Sequence, residues 1–484
     1  MASLGTSLPA WRGLAPRLSR DVFTCRHCLR NQGYAAKSVR QFAAMPSPQP
    51  NKIRSSLFSD KNRQFFTSSI RRTAAAPSFT SAVHEGATKA KSASFPEISN
   101  KSVAYWLLGS AASVFGIVVF GGLTRLTESG LSITEWKPVT VPRIPEFKLL
   151  NPHMNLSEFK SIYYMEWIHR LWGRFIGLSF VLPAVYFVAR KKVSGPMALR
   201  LGGIAGLIGF QGVIGWWMVK SGLKDDLFAP GSHPRVSQYR LTAHLGTAFT
   251  CYVAMLWNGL AILRSHRLMK DPVSGLKQLD ALRDPRLAIF RRSVAALAAL
   301  VFITVMSGGL VAGLDAGLIY NEFPYMGNGL APPSNELWDP RYSRHEDRSD
   351  LWWRNMLENP SLVQLDHRIL ATTTFTSVMA LMAYTLKSPT MKRLLPAPAR
   401  KGVHGVVGFA CMQVTLGICT LLYLVPIHLA SAHQAGSLFL LTWVMVLGSR
   451  VWHPSRTAKL LQMAAKARGQ QVSSAAASGI KRVA

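Results

Sequence analysis

The sequence is short of acidic residues and of charge in general. Its 484 residues include 23 Asp and Glu against 56 Lys and Arg, and charged residues make up 16% of the chain, whereas hydrophobic residues make up 49%. Soluble domains carry roughly 25% charged residues, so the composition argues against a soluble multidomain enzyme. The hydrophobic content argues equally against intrinsic disorder. The mean hydropathy of +0.15 indicates a polytopic membrane protein.

Cysteine is also scarce, and the basic residues form no single patch. Cys25 and Cys28 lie in the N-terminal extension, and Cys251, Cys411 and Cys419 lie inside apolar runs, so the five form no disulfide framework. The basic residues lie mostly at the N terminus and in short loops between apolar runs. This distribution argues against nucleic-acid binding.

The N-terminal extension lacks both acidic residues and long apolar runs. Residues 1–83 hold 13 Lys and Arg but only two acids, Asp21 and Asp60, and they are rich in Ser, Ala and Gln. A basic, Ser-rich and acid-poor start is typical of a mitochondrial transit peptide. We therefore expect a transit peptide and a disordered linker over residues 1–80.

Eight apolar segments are long enough to cross a bilayer, which takes about 20 residues in a helix. They cover residues 103–124, 166–189, 200–219, 241–263, 292–313, 365–386, 402–424 and 427–449. The last two are separated only by the neighbourhood of Val425 and Pro426, which predicts a tight hairpin. The predicted fold class is all-α, with eight transmembrane helices.

The charges of the loops predict which way the helices face. Segments 190–200, 264–292 and 387–401 together carry 17 basic and 3 acidic residues. The opposite segments, which are 126–165, 220–240 and 314–363, carry 12 basic and 14 acidic residues. The positive-inside rule places the first set and both termini in the matrix, which predicts a multi-pass protein of the mitochondrial inner membrane surrounded by lipid.

Four motifs of the N-terminal half recur in the C-terminal half. Gly121–Leu131 returns 187 residues later as Gly308–Leu318. The other matched pairs are Glu166-x-x-His-Arg170 with Gln364-x-x-His-Arg368, Gln211-x-x-x-Gly215 with Gln413-x-x-x-Gly417, and Thr242-Ala-His244 with Ser431-Ala-His433. Each repeat then holds four helices, and because an even number of spans returns the chain to the same side, the halves are parallel. We predict an N-terminal four-helix bundle over 100–265, a C-terminal one over 290–450 and a matrix-facing tail over 451–484.

Four of the thirteen histidines occupy repeat-matched places. They are His169, His244, His367 and His433, near the outer ends of the second, fourth, sixth and eighth predicted spans. An ionisable side chain within a span is costly and marks a functional site. Facing imidazoles in a bundle core hold b-type haem iron on both axial sides. The alternatives are histidines bonded to a neighbouring helix or a zinc site, although the spans supply no closed Cys/His set.

Three charged residues accompany these histidines. Arg170 and Arg368 each follow a candidate ligand, and a guanidinium group neutralises haem propionates well, although an arginine can also reach lipid phosphate. Glu166 lies one turn before His169, whereas the matched residue before His367 is Gln364, which cannot ionise. This asymmetry predicts chemistry at the N-terminal site, where Glu166 would relay protons or steer an oxidised intermediate, and a haem that passes electrons at the C-terminal site. The alternative for Glu166 is an acid favoured at a helix N terminus.

The motifs over residues 103–450 resemble haem A synthase, in the form found in mitochondria. They include Gly121-Gly-Leu-Thr-Arg, Glu135-Trp-Lys-Pro138, Tyr164-Met-Glu-Trp-Ile-His-Arg170, Asn321-Glu-Phe-Pro324 and Gln364-Leu-Asp-His-Arg368. A bacterial subgroup carries a cysteine pair in the first outer loop, but residues 126–165 contain no cysteine. That difference fits the mitochondrial subgroup.

The resemblance implies an oxidoreductase that converts the C8 methyl of haem O to the formyl group of haem A. It implies Glu166 as the essential glutamate, His169 and His244 as axial ligands of substrate haem O, and His367 and His433 as ligands of a resident haem b. It also implies electrons from a ferredoxin and its reductase on the matrix side. Haem O would arrive from haem O synthase, a farnesyltransferase, and haem A would go to cytochrome c oxidase. A homo-oligomer is compatible with the sequence.

Two other functions fit part of the pattern. A di-haem b electron carrier of the quinone or ferric reductase type would explain the histidines and the repeat, but it needs no Glu166 and normally places its haems on opposite sides of the membrane. A haem-free secondary transporter would explain parallel repeats and intramembrane charges. The matched histidines argue against the transporter.

Overall fold

The computed structural model describes residues 95–133, 154–222 and 235–480, with side chains to residue 470. Thirteen α-helices form over these ranges, and no strand does. In chain order they are α1 (Lys101–Leu126), α2 (Leu156–Ala189), α3 (Gly195–Ser221), α4 (Gln238–Met269), α5 (Pro272–Ala281), α6 (Leu287–Gly313), α7 (Ser334–Leu337), α8 (Leu351–Glu358), α9 (Pro360–Lys387), α10 (Pro389–Leu394), α11 (Ala397–Leu422), α12 (Ile427–Val451) and α13 (Ser455–Ile480).

Eight of these helices are long and apolar enough to cross a membrane, namely α1, α2, α3, α4, α6, α9, α11 and the helical stretch that begins with α12. The predicted all-α membrane fold and the eight spans are confirmed. The transit peptide and the Glu135-Trp-Lys-Pro138 motif lie outside the described residues.

Most helices begin or end a few residues away from the predicted spans, and two of these differences have a local reason. Helix α2 begins at Leu156, ten residues before the predicted span, because Asn155 and Glu158 form a capping box that starts the helix in its polar part. Hydropathy detects only the apolar part of a helix, which is the part that lies in the bilayer. Helix α11 ends at Leu422 rather than 424, because Leu424 and Val425 take positive φ angles of 63° and 56° before Pro426. These residues make the tight hairpin.

The helices of each predicted repeat pack in a ring. In the N-terminal half each of α1, α2, α3 and α4 contacts the next, and α4 closes the ring on α1. In the C-terminal half α6, α9, α11 and α12 do the same. The halves meet where α1 packs on α12 and α4 packs on α6, and one continuous apolar core runs through both. The second and fourth helices of each ring, which carry the histidines, therefore face each other across it.

The glycine pair at the end of the first helix of each half has two separate uses. The second glycine lies at the seam between the halves: a Cβ at Gly122 would fall 1.6 Å from Oε1 of Gln434 on α12. A Cβ at the matched Gly309 would fall 3.1 Å from the Thr242 hydroxyl on α4. A side chain at Gly122 would therefore have to displace the Gln434 amide from its place at the seam.

The loop before α9 is a folded unit held by ion pairs. Arg354 on α8 pairs with Asp350 and with Glu358 at 2.9 Å, and Glu336 accepts hydrogen bonds from Tyr320 and Ser361. Burial and, after it, the neighbouring Glu336 carboxylate raise the pKa of Tyr320 to about 12. At the other end of the chain, the predicted tail forms α13, which packs on α5 and α4.

Candidate functional site

Each of the four repeat-matched histidines packs its ring against a glycine of the neighbouring helix. A Cβ added at Gly121, Gly215, Gly308 or Gly417 would lie 2.8, 3.2, 3.1 or 2.8 Å from Cε1 of His169, His244, His367 or His433, respectively. Real Cβ atoms rarely approach so closely. The first glycine of each Gly-Gly pair and the glycine of each Gln-x-x-x-Gly motif therefore make room for an imidazole.

The glutamine of the same motif fixes the helix that carries the second histidine. Gln211 Nε2 donates to the main-chain oxygen of His244 at 2.8 Å, and Gln413 Nε2 donates to that of His433 at 2.9 Å. A hydrogen bond between helices is favoured in an apolar environment because few other partners are available there. The glutamine of the motif thus fixes the position of the helix that carries the second histidine, and the glycine of the motif lets the imidazole ring pack closely.

The rings of His367 and His433 face each other across the C-terminal bundle. Their centroids lie 6.5 Å apart and their planes are nearly perpendicular, at 88°. A metal–nitrogen bond of about 2 Å on each face of an iron puts two imidazole centroids roughly 6 Å apart. The spacing therefore fits an iron held between the two rings. In the other bundle, His169 on α2 and His244 on α4 occupy the matched positions, each packed against a glycine of a neighbouring helix.

One edge of each imidazole is closed off. The Nδ1 atoms of His169, His244 and His433 are inaccessible and have no hydrogen-bond partner among the described residues, and Nδ1 of His367 is bonded to Ser307. All four residues are nonetheless only partly buried. The accessible part of each ring is its other edge, which carries Nε2, the nitrogen that a metal ion between the rings would bind.

Glu166 is buried in the N-terminal half, at 3% exposure. Its carboxylate accepts hydrogen bonds from the Ser132 hydroxyl at 2.8 Å and the Ile133 amide at 3.0 Å, and it pairs with Arg170 one turn further along α2. Three donors thus satisfy the charge and fix the orientation of the carboxylate. Ser132 was missed at the sequence level because nothing marks it as a partner of a residue 34 positions away.

At the matched position in the C-terminal half, the side chain also bonds the main chain of the loop, but it donates the hydrogen bond instead of accepting it. Tyr320, which matches Ile133, offers its main-chain oxygen to Gln364 Nε2 at 3.0 Å and to Arg368 at 3.1 Å. Arg170 likewise bonds the Ile133 oxygen. In one half an acid accepts from the loop; in the other an amide donates to it.

Both arginines bind loop main chain. Arg368 also donates to the carbonyls of Glu322 at 2.9 Å and Tyr325 at 3.0 Å. Arg170 divides its bonds between Glu166 and Ile133. In this arrangement each arginine ties the loop that follows the first helix of its half to the helix that carries the first histidine. The pairing of Arg170 and Arg368 with propionates stays a prediction.

An ion pair that joins the two halves was not predicted from the sequence. Asp315 carries the repeated acidic position of the glycine motif and pairs with Arg125 on α1 at 2.8 Å and with Arg235 at 2.6 Å. Both Asp315 and its counterpart Glu128 have positive φ angles, of 50° and 53°. The repeated acid marks a turn, and in the C-terminal half that turn also binds the other half.

Two rings of membrane-spanning helices, each with a pair of histidines from its second and fourth helices, define a polytopic membrane protein with two histidine-lined sites. The model of the cytochrome oxidase assembly protein family, COX15-CtaA, matches residues 104–445. The chain belongs to this family.

Curated relatives agree over most of the chain. It is 54% identical over 373 residues to "Heme A synthase COX15" of Saccharomyces cerevisiae, covering 73% of this chain and 76% of the relative. It is 42% identical over 366 residues to the protein of the same name in Homo sapiens, covering 71% and 82%. It is 49% identical over 384 residues to "Heme A synthase-mitochondrial ferredoxin fusion protein" of Schizosaccharomyces pombe, covering 75% of this chain and 62% of that fusion.

Proposed function

We propose that this protein oxidises the C8 methyl group of haem O to the formyl group of haem A, for use in cytochrome c oxidase. The family membership and the names of the relatives support the reaction. The observation that carries it in this chain is the pairing of two matched histidine sites with a single carboxylate: Glu166 accompanies one site and Gln364 the other. An electron carrier that leaves its haems unchanged gives no reason for that difference, and the relatives do not favour it.

We assign the sites as follows. His169 and His244 are the axial ligands of substrate haem O, and His367 and His433 hold a resident haem b. The centroid spacing of 6.5 Å at the second pair supports a haem there. A haem supplies one-electron and oxygen chemistry that side chains lack, and the protein supplies binding, orientation and electrostatics.

Glu166 acts on protons at the substrate site. Oxidation of a methyl group to a formyl group with electrons from a ferredoxin requires dioxygen as the oxidant: each of the two hydroxylations inserts one oxygen atom, releases the other as water, and consumes two electrons and two protons. The geminal diol that forms then loses water to give the formyl group, so the site needs a group that relays protons. Glu166 lies one helical turn from His169 and is the residue of the matched pair that can ionise. Its hydrogen bonds to Ser132 and the Ile133 amide orient one carboxylate oxygen and leave the other with Arg170. We assign Arg170 and Arg368 as candidates to pair with propionates while they anchor the outer loops.

The location and partners follow from the same assignment. We place the protein in the mitochondrial inner membrane with both termini in the matrix, as the basic loops predict. Electrons come from a ferredoxin and its reductase on the matrix side; the name of the fission yeast relative, a fusion with a mitochondrial ferredoxin, supports this partner. Haem O synthase supplies the substrate and cytochrome c oxidase receives the product.

The test is chromatography of the haems that co-purify with the full chain. We expect haem b together with haem O, its hydroxylated form or haem A. Haem b alone, at two per chain, would instead identify an electron carrier, and Glu166 would then be a structural acid that holds the outer loop.

A further inference from the structure

Among the described residues, His367 is the one of the four histidines whose Nδ1 atom has a hydrogen-bond partner. Ser307 Oγ lies 2.8 Å from His367 Nδ1 and 2.7 Å from the main-chain oxygen of Thr304. The Ser307 hydroxyl has one hydrogen, which it donates to the carbonyl, so towards His367 it accepts. Nδ1 therefore carries the proton, and the lone pair of Nε2 is left for a metal ion. Ser307 is 9% exposed, so no water competes freely for this bond.

The N-terminal half replaces this hydroxyl with a phenyl ring. Phe120 is the repeat match of Ser307, 187 residues earlier, and its ring lies parallel to that of His169, with an 8° angle and a centroid distance of 6.4 Å. A phenyl ring accepts no such hydrogen bond from Nδ1. The His169, His244 and His433 Nδ1 atoms have no hydrogen-bond partner among the described residues.

We propose that Ser307 is a positioning residue that makes the C-terminal site retain its haem, whereas Phe120 leaves the N-terminal site able to exchange. This inference rests on the proposed function and deepens it. A resident haem must stay through many reaction cycles, but the substrate site must take up haem O and release haem A each time. The two sites share glycines, glutamines and histidines, so their difference in retention has to come from a position where the repeats differ.

The physical reason is the effect of a second hydrogen bond on a ligating histidine. An acceptor at Nδ1 fixes the orientation of the ring and raises the basicity of Nε2, and loss of such a partner typically weakens metal binding by about 10- to 100-fold. A more basic axial ligand also favours the ferric over the ferrous state, because second-shell hydrogen bonding is one of the means by which a protein sets the potential of a haem. Ser307 therefore affects both the retention and the potential of haem b.

The experiment compares Ser307→Ala with the wild-type full chain in detergent. The first readout is the rate at which haem b transfers to an excess of a haem-free acceptor protein, and the second is the reduction midpoint of haem b. We expect transfer about 10- to 100-fold faster and a higher midpoint. Ser307→Thr, which keeps the hydroxyl, should restore both. Phe120→Leu, at the matched position, should change neither for haem b.

Three outcomes decide the matter. If Ser307→Ala showed the wild-type transfer rate and the wild-type midpoint, the proposed role of Ser307 would be overturned. The assignment of the site would still stand in that case if His367→Ala loses haem b. Retention of haem b in both His367→Ala and His433→Ala would instead overturn the assignment of the site. Should Ser307→Ala fail to fold, Ser307→Cys, which keeps the volume and weakens the hydrogen bond, is measured in the same way, and unchanged values there would overturn the proposal.

Discussion

The two halves of the molecule hold their histidines in the same way and surround them differently. In both, a glycine receives each imidazole, a glutamine bonds the main chain of the second histidine, and an arginine bonds the loop carbonyl that follows the first helix. Among the matched positions that differ, three concern the surroundings of the first histidine: Glu166 and Gln364, Ser132 and Ile319, and Phe120 and Ser307. All three lie within contact of the first histidine of a half or of the loop beside it.

The residues that the two halves share point to binding, and the residues in which they differ point to different uses of the two sites. If each histidine pair holds a haem, as we propose, the shared residues are those that position its two imidazoles, which is why both halves have them. The differing residues place an acid with its donors in one copy and a hydrogen bond to the ligand in the other. We infer that the N-terminal half is specialised for chemistry and the C-terminal half for retention.

The largest expected effect comes from removing the acid from one half. Glu166→Gln should leave haem bound but lower haem A production by at least about 100-fold, since positioned acids and bases typically contribute 10²–10⁴ in rate. The measurement is the ratio of haem A to haem O in membranes, together with the haem content of the purified variant.

A matched control lies two turns away on the same helix. Glu158→Gln removes an exposed carboxylate that only caps α2, so it should keep wild-type haem A production within the cost of a helix cap. If Glu166→Gln produced haem A at the wild-type rate, the functional contrast between the halves would not reside in this carboxylate.

The next effect tests which half holds the resident haem. His433→Met replaces one ligand of the closely faced pair, so the absorption and paramagnetic spectra of haem b should change while haem O binding persists. His244→Met is the matched variant in the other half and should leave the haem b spectrum unchanged. Loss of substrate haem alone in His433→Met would reverse the two assignments.

A third effect uses the glycines to test whether both halves grip in the same way. Gly121→Ala and Gly308→Ala place a methyl group 2.8 and 3.1 Å from the ring of His169 and His367, so each should displace one ring and lower haem content at its own site. Overpacking of this kind costs about 1–3 kcal/mol. Gly109→Ala, also on α1, meets nothing within 4 Å and should retain full haem content. Equal losses at both sites from either variant would mean that the halves do not bind independently.

The features that the sequence predicted are those with a local or repeated signal. Apolar length marked the eight helices, and motifs that occur in both halves marked the four histidines, of which the structure brings His367 and His433 face to face. The roles of these histidines and of Glu166 stay predictions. The features that the sequence missed depend on residues far apart in the chain. Ser307 bonds a histidine 60 residues away, and Arg368 bonds carbonyls whose positions depend on how the loop folds. No periodicity or spacing encodes those contacts.

The smallest expected effect concerns the seam between the two halves, where matched residues make different contacts. Gln434, directly after His433, donates to the main-chain oxygen of Val118 at 2.9 Å and packs on Gly122, next to the glycine that receives His169. Its match in the other half is Leu245, which packs on Gly309 through apolar contact. Gln434→Leu makes the seam alike on both sides and removes one hydrogen bond, so we expect a loss of about 0.5–1.5 kcal/mol in stability with haem content kept. The melting temperature of the purified protein measures the loss. A concurrent change in the spectra of both haems would show that this residue couples the two sites, since it stands between His433 and the glycine that holds His169.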